Sequence, residues 1–145
     1  MSLTFLGGYS IVEVISPIAV ALVFITLMSL VKEPMRRSLM AIMVAGAGAT
    51  YISGGGMGAW EIPFTAVMAF FSYLGLASYR FSGIAWLLHT AWDIVHHLTG
   101  HPIIPFYATS SLGCAICDPV LALWCLAGAP PVTVLFRRRA AVPIA

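Results

Sequence analysis

The chain contains no asparagine, no glutamine and a single lysine, and only 8% of its 145 residues are charged. Buried polar roles therefore fall to His, Asp, Glu, Ser, Thr, Tyr, Trp, Cys or the backbone. So little charge, with 61% hydrophobic residues and a mean hydropathy of +0.99, argues against a domain with an ordinary polar surface. The basic residues sit in short clusters between apolar runs, and the net charge is only +2, so no nucleic-acid partner is expected. No Lys or Arg precedes the first apolar stretch, and a cleaved secretory signal is not expected either.

What is abundant is apolar sequence in long runs. The composition predicts an all-α integral membrane protein, a five-transmembrane-helix bundle forming one membrane domain over residues 1–145. The expected spans are about 9–31, 38–52, 60–77, 81–98 and 110–129, each near the roughly 20 residues that a bilayer requires. With five spans, Lys32, Arg36, Arg37, Arg80, Arg137, Arg138 and Arg139 all fall on one side. The positive-inside rule then predicts an outside N-terminus and a cytoplasmic C-terminus. The matching location is the cytoplasmic membrane, multi-pass. Membrane lipids, further copies of the chain or a larger membrane complex are the expected partners.

The fourth segment breaks the apolar pattern. It reads Gly83-Ile-Ala-Trp-Leu-Leu-His89-Thr-Ala-Trp92-Asp93-Ile-Val-His96-His97-Leu98. On a helix with His89 at zero, Asp93 lies at about +40°, His96 at about −20° and His97 at about +80°. Three histidines and an aspartate thus share about a quarter of one helix surface. Ionisable groups in so apolar a setting face a partner or a wet cavity. His89 with Asp93, and Asp93 with His97, are i,i+4 pairs able to meet one metal ion. Imidazole with carboxylate suits a transition metal, zinc or iron foremost. The expected ligands are His89, Asp93, His96 and His97, with Glu61 or Asp118 completing the shell or acting as acid–base partner. Two alternatives stand beside this reading. Asp93 can simply pair with a histidine, or a histidine can hold a haem or another tetrapyrrole.

Cys114-Ala-Ile-Cys117-Asp118-Pro119 is the second constellation. A C-x-x-C pair can form a disulfide or cycle as a dithiol. Asp118 followed by Pro119 also reads as a helix start, which would leave both cysteines in a loop before it. A helix beginning near Ser110 would instead put Cys114, Cys117, Asp118 and Cys125 on one stripe, with Pro119 inside. Ala41, Ala45 and Ala49, interleaved with Gly46 and Gly48, give the second segment a small-residue packing face.

These features together predict a polar site in the outer half of the bundle, binding a transition metal and acting on a lipid-like or membrane-dissolved substrate. Glu61, Asp118, Cys114 and Cys117 are the candidate catalytic residues. A thiol or quinone redox protein using the cysteine pair is the first alternative, and a non-enzymatic accessory or pigment-ligating subunit of a membrane complex the second. The strings from Gly54 to Glu61, Gly83 to Leu98 and Ser110 to Pro119 resemble a family of small bacterial integral membrane proteins with no assigned activity. The resemblance covers about residues 50 to 130. It implies an integral membrane fold and adds no catalytic role to any residue.

Overall fold

The computed structural model describes residues 4–5, 8–54 and 56–134. Two short antiparallel strands, β1 (Thr4–Phe5) and β2 (Tyr9–Ser10), precede five helices. These are α1 (Ile11–Ser29), α2 (Met35–Gly54), α3 (Glu61–Gly75), α4 (Tyr79–Leu98) and α5 (Ser110–Leu126), with a 3₁₀ turn at Gly58–Trp60 leading into α3.

Local sequence sets the helix starts. Ser10 caps α1 reciprocally: its hydroxyl accepts the Glu13 N–H at 3.3 Å, and the Glu13 carboxylate accepts the Ser10 N–H at 2.8 Å. A cap of this kind contributes on the order of 1 kcal/mol. Ser78 caps α4 in one direction only, its hydroxyl accepting the Arg80 N–H at 3.3 Å. Helix α5 begins at Ser110 and carries Pro119 in its interior, so the cysteine pair lies within the helix and Asp118 is not its N-cap.

Helix α4 is the centre of the packing, against α5, α3 and α2, while α1 rests on α5. Glycine permits the close approaches. A Cβ at Gly83 of α4 would lie 2.7 Å from Leu126 Cγ and 3.1 Å from the Ala122 carbonyl of α5. One at Gly48 of α2 would lie 2.4 Å from Met68 Cβ of α3. Around these contacts sit Met40, Val44, Met68, Trp86, Leu121 and Cys125, all buried, with the Trp86 indole N–H donating to Met40 Sδ at 3.3 Å. Basic residues gather at one end. Arg36 pairs with Glu33 at 2.9 Å, and Arg37 donates to the Leu76 carbonyl at 2.9 Å.

The expected five-transmembrane bundle is corrected by these helices. Among the described residues only α1, Ile11–Ser29, is long and apolar enough to cross a membrane. The physical reasons differ from helix to helix. Helix α3 has 15 residues and α5 has 17. At 1.5 Å per residue that is about 22 and 26 Å, short of a hydrocarbon core of about 30 Å. Helix α2 opens on Arg36 and Arg37 and is rich in Gly and Ala, while α4 carries Arg80, Asp93 and three histidines. The outside-to-cytoplasm orientation, the multi-pass location and the depth assigned to each polar residue rested on five spans and fall with them. So do the lipid, membrane-complex and oligomer partners inferred from that architecture. Phe136 and the arginines at 137, 138 and 139 lie outside the described residues.

Candidate metal centre

Helix α4 turns its polar stripe inward, and three other helices meet it there. His89 is 2% exposed, Asp93 0% and Asp118, from α5, 4%. Protein thus covers nearly the whole of all three side chains. His89 Nδ1 lies 2.6 Å from Asp118 Oδ2 and 2.9 Å from Asp93 Oδ2. The second contact has ion-pair distance but not hydrogen-bond geometry, and Asp93 Oδ2 has no hydrogen-bond partner among the described residues. The other Asp93 oxygen, Oδ1, accepts the Tyr51 hydroxyl from α2.

Burial alone would strip the proton from His89, but the Asp118 hydrogen bond and the close carboxylates of Asp93 and Asp118 outweigh it and lift the imidazole to about 10. Asp118 is pushed up to about 6 by burial, with Asp93 adding to the rise and His89 opposing it. The Tyr51 phenol is raised by burial first and by the Asp93 charge second, so it remains a hydrogen-bond donor. In the metal-free chain one imidazolium proton therefore sits against two carboxylates. A divalent cation can replace that proton with greater charge at the same point, converting three mutually stressed ionisable groups into ligands. One ligand atom from each of His89, Asp93 and Asp118 falls within 4.8 Å of the others, so this cluster can coordinate a metal ion.

A second polar group lies further along the same stripe. His96, 0% exposed, places Nε2 3.1 Å from Glu61 Oε1, again without hydrogen-bond geometry, and its Nδ1 donates to the His101 carbonyl at 3.0 Å. Glu61 also accepts the Trp92 indole N–H at 3.0 Å and the Met57 N–H at 3.1 Å. The Tyr51 ring stacks on His96 with centroids 4.1 Å apart. One tyrosine thus touches both groups, through its hydroxyl at Asp93 and its face at His96. His97 leaves the stripe and meets the Tyr9 hydroxyl at 2.7 Å.

Cys114, Cys117 and Cys125 are free thiols. Burial, followed by the Asp118 and Asp93 charges, pushes Cys117 up to about 11; Cys114 rises for the same reasons, with Asp93 the larger charge. Both cysteines line a cavity of about 270 Å³ bounded by Val20 and Phe24 of α1, Met43 and Ala47 of α2, and Trp86 of α4. His89 and Asp118 form its polar wall. A second cavity of about 260 Å³, reaching Glu13 and Thr109, shares Val20, Ile103 and both cysteines with the first.

Of the expected ligands, His89 and Asp93 meet at the cluster, His96 stands with Glu61, and His97 stands apart with Tyr9. Asp118 joins the cluster itself, while Cys114 and Cys117 stand at the cavity wall. Sequence reasoning missed Tyr51. Its signal was a hydroxyl-bearing aromatic in the Ala- and Gly-rich second segment of a chain that has no Asn or Gln to satisfy a buried carboxylate.

The expected function is corrected along with the fold. A polytopic membrane protein acting on a lipid-like or membrane-dissolved substrate presupposed five spans, as did the quinone-linked and membrane-subunit alternatives, and one candidate span does not supply them. What stands is the buried His/Asp/Asp cluster. No curated protein and no solved structure matches the chain. A family model does match, over residues 12–131, which include α2 to α5 and all of α1 but its first residue. The chain belongs to that family, a family of unknown function (DUF6010).

Proposed function

We propose that the protein is a metal-binding protein with a centre of catalytic type. His89 Nδ1, Asp93 Oδ2 and Asp118 Oδ2 ligate one transition metal, zinc or iron, and a fourth position is left for water or substrate. The observation that carries this reading is the approach of two buried carboxylate oxygens to one imidazole nitrogen, at 2.6 and 2.9 Å. Three protein ligands with an open position distinguish catalytic from structural zinc sites, which close with four. Nitrogen with two oxygens suits zinc or ferrous iron better than a thiol-seeking metal. Two carboxylates and a neutral imidazole also balance a divalent charge, which an apolar interior requires. A metal there lowers the pKa of a bound water and polarises a bound oxygen. Tyr51 holds Asp93 in place from behind, the role that outer hydrogen bonds play at metal sites.

Elemental analysis of protein purified without chelator tests the proposal, beside the His89→Ala/Asp93→Ala double variant and Cys117→Ser. About one equivalent of metal should accompany the native chain and Cys117→Ser and be lost from the double variant. A native chain that neither carries metal nor takes up zinc or ferrous iron on addition would sink the reading. Retention of metal by the double variant would do the same.

A further inference from the structure

The same centre, on the metal reading proposed above, also limits what can bind beside it. The cavity that His89 and Asp118 border has a volume of about 270 Å³; Thr50 and the two cysteines also line it, and the rest of its wall is apolar, Phe24, Met43, Trp86 and Leu121 among it. Drug-sized ligands occupy pockets of roughly 300–1,000 Å³, and a cavity of about 150 Å³ holds benzene. An occupant confined to this cavity is therefore compact, larger than a single aromatic ring and smaller than a drug or a lipid.

Charge narrows it further. A divalent metal with the Asp93 and Asp118 carboxylates and a neutral His89 sums to zero. An anionic ligand would add a buried negative charge, and among the described residues no Lys or Arg lines either adjoining cavity. Lys32, Arg36, Arg37 and Arg80 cluster at or near the starts of α2 and α4. The 15 residues from Arg36 to Tyr51 place that end about 22 Å from the Tyr51 level of the centre. A cationic ligand fares no better beside a bound divalent ion. An uncharged oxygen donor can take the open metal position without either penalty, while its apolar body displaces water from the cavity wall.

We infer that the site takes a compact, uncharged substrate, an apolar body somewhat larger than one aromatic ring bearing one neutral oxygen donor such as a carboxamide or an alcohol. The metal holds the oxygen and the cavity holds the body. Affinity then depends on apolar length, at about fourfold per buried methylene, until the cavity is full.

The test uses the full chain loaded with Co²⁺, whose visible bands report both metal occupancy and ligand entry. Acetamide, butanamide and hexanamide are titrated beside hexanoate. The expected result is an affinity rising about fourfold per methylene along the amides, with hexanoate at least tenfold weaker than hexanamide. Ala47→Leu and Val20→Trp, two fillings of the cavity from different helices, should keep the Co²⁺ bands and weaken hexanamide at least tenfold. Hexanoate binding as well as hexanamide overturns the neutral-ligand inference. Amide affinity that ignores chain length, or that neither filling variant weakens, overturns the cavity assignment. Either failure with Co²⁺ still bound leaves the metal centre standing, whereas a chain that takes up no Co²⁺, zinc or iron overturns both readings.

Discussion

Replacing Tyr51 by Phe removes one oxygen atom and keeps everything else the side chain does. The ring still stacks on His96 at 4.1 Å and still packs edge-on against Phe64. What disappears is the donor to Asp93 Oδ1, together with the hydroxyl's contact with Ser111, at a site where all three side chains are 0% exposed. Hydrogen bonds to a charged group contribute about 1.5–3 kcal/mol. Removing such supporting hydrogen bonds elsewhere costs 10–100-fold in metal affinity, or about 1.4–2.7 kcal/mol, the same range. The expected outcome for Tyr51→Phe is a 10–100-fold weaker Zn²⁺ complex at neutral pH, measured by competition with a chromophoric chelator. The metal-free variant should melt cooperatively, at a lower temperature than the native chain. An unchanged Zn²⁺ affinity in a folded Tyr51→Phe protein would show that Asp93 is not a ligand, or that it needs no support to be one.

Three further outcomes are expected. The metal-free chain should lose stability as pH rises from 7 to beyond 10, because folding lifts His89 from 6.5 to about 10. A raised histidine stabilises fully below its unfolded value and loses that contribution as pH climbs through the folded one, here a few kcal/mol in all. Denaturant melts with and without Zn²⁺ read this, and a flat metal-free profile over that interval would contradict the imidazolium assignment. At pH 8, with a thiol near 11 against an ordinary 9.0, Cys117 should alkylate with iodoacetamide about a hundredfold more slowly than an exposed cysteine. An ordinary rate, followed by mass spectrometry of the folded chain, would mean that the thiol is not held in this setting. Gly83→Ala should cost about 1–3 kcal/mol and weaken Zn²⁺ binding, since its Cβ would stand 2.7 Å from Leu126 and force α5 away from α4. Gly46→Ala meets nothing within 4 Å and should be neutral or stabilising by up to about 1 kcal/mol. Equal effects at the two glycines in thermal melts would remove the packing argument.

Hydropathy located the apolar runs from Tyr9 to Val31 and from Phe81 to Leu98, where α1 and α4 lie. Only α1 is long and apolar enough to cross a membrane; α4 is as long but carries Arg80, Asp93 and three histidines, and composition carries no helix length for the rest. Helix α3 stops after 15 residues at Gly75, ahead of the turn to Ser78 that caps α4. The angular projection of α4 was more informative, since a single helix has a fixed period. His89, Asp93 and His96 do face the interior together, and His97, at the edge of the arc, turns to Tyr9 instead. Nothing in one helix states which neighbour its polar face will meet. Tyr51 and Asp118 are 42 and 29 residues from their partners in the chain, and only the packing of α2 and α5 on α4 brings them there. The Asp118-Pro119 pair shows the same limit locally. It reads equally as a helix start or as a proline inside a helix, and the start at Ser110 decides between them.

Angle also hides height. His89 and His96 share one line on α4 but are seven residues apart, about 10.5 Å along the axis. Imidazoles at that separation do not reach a single ion, whose bonds to nitrogen are about 2.0–2.1 Å long. Asp93, four residues from His89, is about one turn away and reaches it at 2.9 Å. The stripe therefore divides into two levels. The lower level draws its remaining carboxylate from Asp118 on α5, and the upper level draws Glu61 from the start of α3. Each level thus finds its acidic partner on a different neighbouring helix, and Tyr51 touches both. A substitution at Glu61 should accordingly reach the lower cluster only indirectly, through the Tyr51 ring and through Trp92, which stacks on Phe64 beside His89. One at Asp118 acts on it directly, at 2.6 Å from the imidazole. Zn²⁺ affinity that falls as far in Glu61→Gln as in Asp118→Asn would mean that the two levels form one site.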